Sequence, residues 1–416
     1  MYNINDLMKK AKFDSLSDIQ KEFIDNFLVN KHLVGVSKTG TGKTHAYLFP
    51  ILASITNDSL ETLIVVPTNE LVFQITSMIS NLELENINVL SITALTDRAT
   101  VLRKIDNNTS SIIVTTPNKL KELVIDKKVL TLESIKYIVL DEADMMFDEA
   151  FLEEIDLLLE KVKDPKILLM SATITLNMST FIKKYFGSYK LLDTTASTTL
   201  DIEYRLFRIN AISRIDFLFR LLPLINPYLC LIFISNKDDV NTVYAKMVDN
   251  KYNVCKYSSD LSLRERKNLF LDIKNLKYQY VVTSDLFSRG IDIVASEIIN
   301  YDFPNNFEFF MHRSGRTGRM KASGIVDIIA SKTDSRNIEK LKNYKINYHD
   351  YQIKGDNIVK KERHVSAISS ELQNEIKKIK KPTKVTPNYK KKNKEQIKEI
   401  KNKIVSKKIR KNRGWD

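Results

Sequence analysis

Short apolar runs rich in β-branched residues alternate with stretches of helical periodicity through the first 195 residues. The runs are HLVGV (32–36), ETLIVV (61–66), SSIIVT (110–115), IKYIVL (135–140) and KILLM (166–170). Strands buried on both faces appear as nearly continuous apolar runs, and parallel strands need helical crossovers between them. The pattern therefore predicts an α/β domain with a mostly parallel sheet and helices on both faces.

The alternation restarts after DTTASTTLD (193–201), a polar stretch that is typical of a linker. The later runs are LCLIFI (229–234), YNVCKY (252–257), YQYVVT (278–283), EIINYD (297–302) and GIVDIIA (324–330). We therefore predict two tandem α/β domains followed by a tail that is disordered or built from short basic helices. The predicted boundaries are 1–195 for the first domain, 196–203 for the linker, 204–350 for the second domain and 351–416 for the tail.

The composition narrows the cellular setting. No apolar run approaches the roughly 18 residues of a membrane span, and MYNINDLMKKAKF lacks the apolar centre of a signal peptide. Cys230 and Cys255 stand alone, so neither a zinc site nor a disulfide framework is expected. We expect a reducing, cytoplasmic setting without a membrane partner.

The net charge of +14 lies in the tail. Residues 354–416 carry 21 of the 65 Lys and Arg residues but 7 of the 51 Asp and Glu residues, which leaves the rest of the chain balanced. Polyanions, nucleic acid first among them, are the expected partner of such a segment. A non-specific RNA tether, with Tyr389 and Trp415 available for stacking on bases, and a merely solubilising end both remain open.

The run HLVGV leads directly into SKTGTGKT (37–44) and then a helical pattern, which is the context of a phosphate-binding loop. Gly40 and Gly42 would let backbone N–H groups approach phosphate oxygens at a helix N-terminus. Lys43 would reach the β- and γ-phosphates and Thr44 would ligate Mg²⁺. The alternative is a plain glycine-rich turn. Ser37 replaces the first glycine of the general GxxxxGK[ST] pattern.

A second apolar run ends in three carboxylates within four positions, in IVLDEAD (138–144). Ligands of parallel sheets bind at the carboxyl edge, where these groups would lie beside the phosphate loop. Asp141 would then hold Mg²⁺ through water, and Glu142 would orient and deprotonate the attacking water. An acidic helix start would explain the same residues without chemistry.

With these two motifs the chain resembles the DEAD-box family of ATP-dependent RNA helicases of superfamily 2, over roughly residues 10–330. AKFDSLSDIQ, MSAT, SRGID and HRSGRTGR stand in that family's order. The resemblance implies two RecA-like domains, an ATPase that uses ATP and Mg²⁺, and RNA as the partner. It implies a catalytic set of Glu142, Asp141, Lys43, Arg316 and Arg319, the two arginines acting as arginine fingers.

Further roles follow from the resemblance alone. The implied ATP contacts are Phe13, Gln20, Ser37, Lys38, Thr39, Gly40, Thr41, Gly42, Lys43, Thr44 and Asp292. The implied links between nucleotide and RNA are Ser171, Thr173 and His312. The implied RNA contacts are Pro67, Thr68, Asn69, Thr116, Pro117, Arg266, Ser284, Arg289 and Gly290. The implied Mg²⁺ ligands are Thr44 and Asp141, largely through water.

The departures from the family pattern lie on the RNA side of the first domain. Asn69 stands where the family has Arg, Ala94-Leu95 replaces paired glycines, and Asn118 replaces the helix-opening glycine. An RNA-dependent ATPase that unwinds duplexes locally is the leading interpretation, and an ATP-gated RNA clamp or annealing factor is the alternative. A degenerate scaffold and a DNA helicase fit the motifs less well. We expect a monomer or weak dimer, with ribosomal or RNA-decay proteins as candidate partners.

Overall fold

The structure of the protein is a computed structural model. It describes residues 2–55, 60–96, 98–106, 110–148, 151–196, 201–287, 293–318 and 323–361, together with 375, 399–400 and 403. The chain divides into two compact units, one of residues 1–349 with 355–357 and the other of 350–354 with 358–416. Both predicted domains lie in the first unit. Most of the predicted tail lies outside the described residues.

The first domain opens with two helices and then alternates strands with helices, as its apolar runs predict. Its strands are β1 (His32–Val36), β2 (Thr62–Val65), β3 (Val89–Ile92), β4 (Ile112–Thr115), β5 (Tyr137–Leu140), β6 (Lys166–Ser171) and β7 (Tyr189–Asp193). Its α-helices are α1 (Ile4–Lys10), α2 (Asp18–Phe27), α3 (Lys43–Ser54), α4 (Asn69–Ser80), α5 (Arg98–Asp106), α6 (Pro117–Lys121), α7 (Ala143–Asp148), α8 (Leu152–Leu159) and α9 (Leu176–Tyr185). A π-helix (Glu122–Asp126) continues α6.

These seven strands form one sheet in the order β3-β4-β2-β5-β6-β1-β7, and its strand pairs are parallel. Successive side chains of a strand point to opposite faces. Leu33 and Ile64 therefore pack in the core on one face, and Val34 and Leu63 pack in the core on the other. The sheet is covered on both sides, and functional groups gather where its strands end.

The second domain repeats the pattern. Its strands are β8 (Ile202–Arg208), β9 (Cys230–Phe233), β10 (Val254–Tyr257), β11 (Tyr280–Thr283), β12 (Glu297–Asn300) and β13 (Gly324–Ala330). Its α-helices are α10 (Arg214–Leu221), α11 (Lys237–Asp249), α12 (Leu263–Lys274), α13 (Phe307–Ser314) and α14 (Ser335–Asn343). Single-turn 3-10 helices lie at Leu222–Leu224, Asp285–Phe287 and Lys332–Asp334.

These strands run in the order β10-β11-β9-β12-β13-β8 with parallel pairing. Strand β8 begins at Ile202, inside the stretch predicted as a linker, and Phe207 near its end is buried. The alternation of strands and helices in two tandem domains, predicted from the apolar runs, is confirmed. Strands β3, β7 and β8 were not among the predicted runs, since each mixes polar with apolar residues.

A hairpin of β14 (Tyr348–Lys354) and β15 (Asn357–Lys360) follows α14. The Lys361 amide donates to the Asp350 carbonyl at 2.7 Å and closes it. Ordered structure thus continues past residue 350, where the second domain was predicted to end. Within the described ranges, no helix combines the length and the apolar character needed to cross a bilayer.

Candidate active site

The phosphate-binding loop spans the gap between β1 and α3. Gly40 and Gly42 adopt φ values of 84° and 83°, the left-handed region that glycine enters without a steric penalty. A Cβ on Gly42 would lie 2.4 Å from the Gln20 amide nitrogen, so this position has no room for a side chain either. The loop conformation is the one that its glycines predict.

Ser37 joins this loop to three other segments. Its buried hydroxyl donates to the Thr41 hydroxyl at 2.8 Å and accepts from the Thr194 hydroxyl at 3.0 Å. Its amide donates to the Ser171 carbonyl at 3.1 Å, and its carbonyl accepts from Lys43 Nζ at 3.1 Å. The Ser37 side chain therefore faces inward, toward the start of the predicted linker and the end of β6, rather than into the loop's mouth.

Asp141 lies beside the phosphate-binding loop because β5 and β1 both end at the carboxyl edge of one sheet, with β6 between them. Its Oδ2 accepts from Thr44 Oγ1 at 3.3 Å and from the Tyr47 hydroxyl at 2.9 Å. Burial and the neighbouring Glu142 raise the pKa of Asp141 to about 6, although Lys43 opposes them. The structure thus brings the two predicted Mg²⁺ ligands together.

Glu142 occupies a tight turn between β5 and α7. Its φ of 51° lies in the left-handed region, which is uncommon for a residue with a Cβ and is found where a site constrains the backbone. Its amide donates to Asp141 Oδ1 at 2.9 Å. Within the described residues its Oε2 is buried and has no hydrogen-bond partner. That oxygen is therefore available to accept a proton from a water.

Phe13 and Gln20, two of the implied ATP contacts, lie with Ser17 against the outside of the loop. The Ser17 hydroxyl donates to the Thr41 carbonyl at 2.9 Å, and Gln20 Nε2 donates to the Gly42 carbonyl at 3.2 Å. Gln20 Oε1 accepts from the Ser17 amide at 2.9 Å. A primary amide has two hydrogens and two lone pairs, so one of each remains for a base. The Phe13 ring packs on His45, with ring centroids 4.8 Å apart.

The second domain closes the other side of the site. The Thr39 hydroxyl donates to the Met311 carbonyl at 3.5 Å, and a Cβ on Gly315 would lie only 1.8 Å from Thr39 Oγ1. His312 Nε2 lies 3.6 Å from Asp144 Oδ2, and both side chains are buried. Two domains that touch at these points enclose the phosphate-binding loop and the acidic turn between them.

The arginines of the second domain divide into different roles. Arg313 is fully buried, where its guanidinium donates to Asp285 at 2.6 Å, to Ser235 at 2.9 Å and to the Asp302 carbonyl at 2.9 Å. The donors of Arg313 therefore stay inside its own domain, so the cationic groups of HRSGRTGR do not all face the cleft. Arg316 is buried next to the cleft.

The predicted RNA contacts of the first domain lie where neighbouring strands end. Pro67 and Thr68 follow β2, Thr116 and Pro117 follow β4, and these strands are paired in the sheet. Thr68 caps α4 by accepting from the Leu71 amide at 3.3 Å. The Asn69 side chain accepts from the Ala94 amide at 3.4 Å. Two departures from the family pattern thus contact each other.

Arg266 takes part in a contact between the domains. Its guanidinium donates to the Glu70 carboxylate, and the two side chains are 15% and 11% exposed. Ser284 directly follows β11, at the carboxyl end of that strand. Ser171 turns its hydroxyl to the Thr173 carbonyl at 2.7 Å. Four further predicted site residues lie outside the described part of the chain, namely Arg289, Gly290, Asp292 and Arg319.

Sequence reasoning missed three residues of this region. Tyr47, Glu70 and Thr194 contact Asp141, Arg266 and Ser37, respectively. Tyr47 could have been found, because it stands one helical turn after Thr44 and residues three apart share a helix face. Glu70 and Thr194 carry no comparable local signal, since their partners are distant in the chain.

Two tandem parallel-sheet domains that enclose a phosphate-binding loop and an acidic turn define a two-domain nucleotide-hydrolase architecture. The family model for DEAD/DEAH box helicases matches residues 17–181, and the model for the helicase conserved C-terminal domain matches residues 213–321. The DEAD-box ATP-dependent RNA helicase CshB of Staphylococcus aureus is 31% identical over 86% of this chain and 82% of the relative. CshB of Bacillus subtilis is 30% identical over 96% and 94%.

The chain therefore belongs to the family of DEAD-box ATP-dependent RNA helicases. Among solved structures, Saccharomyces cerevisiae Dbp5 bound to RNA and ADP BeF3 has a TM-score of 0.73 at 25% identity, over 83% of this chain and 92% of Dbp5. A DEAD box protein of Methanococcus jannaschii has a TM-score of 0.53 at 27% identity, over 85% and 97%. The tandem RecA-like fold predicted from the resemblance is thereby confirmed.

Proposed function

We propose that this protein is an RNA-dependent ATPase that locally unwinds or remodels RNA duplexes by ATP-driven closure of its two domains. One observation carries the proposal. The loop residue Thr39 fits against Gly315, which has no Cβ to obstruct it, and Arg316 follows directly in the chain. Binding of ATP between these surfaces would favour the closed arrangement, and hydrolysis would release it.

The site has the oxygen donors that Mg²⁺ prefers. Thr44 Oγ1 and Asp141 Oδ2 lie 3.3 Å apart at the carboxyl edge of the sheet, and hard oxygen ligands suit this cation. Thr44 and Asp141 would hold Mg²⁺, Asp141 largely through water. When bound, Mg²⁺ would neutralise phosphate charge.

The chain's own groups divide the remaining work. The Lys43 ammonium, which donates a hydrogen bond to the Ser37 carbonyl, would also donate to the β- and γ-phosphates. Glu142 would accept the proton of the attacking water on its buried Oε2. Arg316 would stabilise charge on the transferring phosphoryl group, a contribution worth about 10³–10⁵ in rate in comparable enzymes.

RNA as the partner is supported by the likeness to Dbp5 in a complex with RNA and ADP BeF3. The chain's arrangement is more similar to that complex than to the Methanococcus jannaschii protein. An RNA path would follow the ends of β2 and β4, where Thr68 and Thr116 lie. Closure of the domains over this path would bend one RNA strand and thereby separate a short RNA duplex locally.

The test is steady-state ATP hydrolysis by the full chain alone, with single-stranded RNA and with DNA of the same sequence. Strong stimulation by RNA and not by DNA supports coupling between the ATP site and the RNA path. Hydrolysis that ignores RNA contradicts the coupling. A fluorescent duplex assay adds the second readout, because RNA-stimulated hydrolysis without strand separation would favour the clamp or annealing alternative.

The Glu142→Gln variant sharpens this test. It keeps the side-chain volume but removes the base, so we expect ATP and RNA binding to persist while hydrolysis falls by at least about a hundredfold. Turnover close to that of the parent chain would refute the water-activating role. Lys43→Ala should instead lose nucleotide binding.

The basic tail has a proposed role that follows from its charge. Removal of residues 362–416 should leave RNA-independent hydrolysis intact and raise the RNA concentration that gives half-maximal stimulation. A tail that meets 6–10 phosphates would make RNA affinity fall about 10³–10⁵-fold between 50 and 200 mM salt. An unchanged RNA requirement would leave the tail as a solubilising segment. We also propose a cytoplasmic location, with ribosomal or RNA-decay proteins as partners.

A further inference from the structure

Tyr47 is a fully buried tyrosine whose hydroxyl reaches the acidic edge of the site. It lies in the second turn of α3, its exposure is 0%, and its ring belongs to the apolar core shared by α3 and the sheet. Its hydroxyl lies 2.9 Å from Asp141 Oδ2. None of the roles assigned above uses this hydroxyl.

The direction of the hydrogen bond follows from the chemistry of the pair. An ionised carboxylate only accepts hydrogen bonds, so the phenolic hydroxyl must donate its hydrogen to Asp141. Thr44 donates to the same oxygen at 3.3 Å, and the Glu142 amide donates to the other oxygen at 2.9 Å. Three donors on two oxygens fix the plane of the Asp141 carboxylate.

The two hydroxyl donors differ in mobility. Thr44 is half-buried in the first turn of α3 and is itself a proposed Mg²⁺ ligand. The Tyr47 ring is enclosed by core side chains, and a packed ring has little freedom to move. The phenolic hydroxyl is therefore a donor whose position does not depend on whether a nucleotide occupies the loop.

We infer that Tyr47 is a positioning residue that holds the Asp141 carboxylate ready for the Mg²⁺ that accompanies the nucleotide. The inference deepens the proposed function and rests on Asp141 as the cation-holding residue. A carboxylate fixed beforehand loses less freedom when the cation and its waters arrive. Tyr47 acts through Asp141, since its side chain is fully buried and its hydroxyl donates to the Asp141 carboxylate.

The experiment measures how a fluorescent ADP binds to the full chain at graded Mg²⁺ concentrations and in excess EDTA, without RNA. Tyr47→Phe removes one oxygen and keeps the ring, so the core stays filled. We expect the Mg²⁺ concentration for half-maximal tightening of ADP binding to rise about tenfold. The ADP affinity in EDTA should stay as in the parent chain, because loop amides and Lys43 hold the phosphates.

A matched control is Tyr280→Phe. Tyr280 is also buried, at 3% exposure, and begins β11 in the second domain. This variant loses the same hydroxyl and should keep the parent's Mg²⁺ profile. An ADP affinity in EDTA that also falls for Tyr47→Phe would mean a purely structural role and would overturn the inference.

The outcomes separate this inference from the function on which it rests. A parent chain whose ADP binding ignores Mg²⁺ would remove the cation role of Asp141 itself. A Mg²⁺-sensitive parent with an unaltered Tyr47→Phe profile would overturn the positioning role alone. We also expect a higher Mg²⁺ concentration to restore part of the ATP hydrolysis that Tyr47→Phe loses, in line with its higher Mg²⁺ requirement for ADP binding.

Discussion

The carboxylate of Glu70 accepts a hydrogen bond from the guanidinium of Arg266 across the cleft between the domains. Glu70 lies in the first turn of α4, and Arg266 lies in the first turn of α12. Beside them, Lys267 Nζ lies 5.0 Å from the centroid of the Phe73 ring, a second contact between the same helices. The residue that resemblance assigns to RNA thus also joins the domains.

Loss of this ion pair should weaken closure more than it weakens either domain. Because the two side chains are mostly buried, a lone partner would keep an uncompensated charge in the cleft. We expect Arg266→Ala to raise the RNA concentration for half-maximal ATPase at least several-fold while RNA-independent hydrolysis changes little. ATPase titrations with single-stranded RNA measure both quantities.

Controls can separate the ion pair from an RNA contact. Arg264→Ala removes an exposed arginine of the same helix and should behave like the parent chain. The exchanged pair Glu70→Arg with Arg266→Glu should recover part of the lost stimulation if the ion pair matters. If the exchanged pair recovers no stimulation and the Arg266→Ala variant alone binds RNA more weakly, Arg266 contacts RNA directly.

Gly315 permits the closest approach between the domains. Its φ of −70°, which any residue adopts, gives it no conformational need to be glycine. A Cβ there would nevertheless lie 1.8 Å from Thr39 Oγ1 and 2.7 Å from Thr39 Cβ. The absence of a side chain therefore serves contact with the phosphate-binding loop.

Gly315→Ala should accordingly block the closed arrangement and leave both domains folded. We expect RNA-stimulated hydrolysis to fall at least tenfold with unchanged circular dichroism. Gly187→Ala is a suitable control, since a Cβ there meets nothing within 4 Å and its positive φ of 48° costs only local stability. Parent-like stimulation in Gly315→Ala would mean that the domains close differently from the arrangement described.

The sequence predicts this fold well because its signals are local. Runs buried on both faces mark the central strands, and the loop glycines determine their own turn. Contacts across the cleft are different, since no local pattern links Glu70 to Arg266 or Thr194 to Ser37. Arg313 is the clearest case that local signals do not predict, because this charged residue of the HRSGRTGR motif points into its own domain.

Arg313 and Arg316 stand three residues apart, and we expect their substitution by Ala to have different effects. Arg313 is enclosed by acceptors that include the buried Asn300 side chain and the Asp302 carbonyl, so Arg313→Ala would remove the donor that these acceptors share. Breaking such a network costs on the order of 3–5 kcal/mol. We expect a large loss of second-domain stability in urea, with hydrolysis lost as a consequence.

Arg316→Ala should instead leave the unfolding profile close to that of the parent and reduce hydrolysis at least a hundredfold. Binding of a fluorescent ADP with Mg²⁺ should persist, because the first domain holds most of the proposed phosphate contacts. Equal destabilisation by the two substitutions would show that both arginines are structural. Arg220→Ala, on the exposed side of α10, serves as the arginine control.

A buried charge cluster gives the second domain a pH-dependent stability. The Arg205 guanidinium donates to both oxygens of Asp327, at 2.6 and 2.8 Å, and also to Glu297. One positive charge cannot balance two buried carboxylates. Burial and the nearby Asp327 therefore raise the pKa of Glu297 to about 8 from its ordinary 4.5.

Between pH 4.5 and 8 the folded protein holds a proton on Glu297 that the unfolded chain releases. Stability contributed by this group is thus present at low pH and declines as pH rises through that window, by at most about 1.4 kcal/mol per unit. Glu297→Gln mimics the protonated form, so its urea midpoint should match the parent near pH 4 and exceed it near pH 8.5. The exposed-site control Glu339→Gln should retain the parent's slope. A Glu297→Gln slope equal to the parent's would place the proton elsewhere in the cluster.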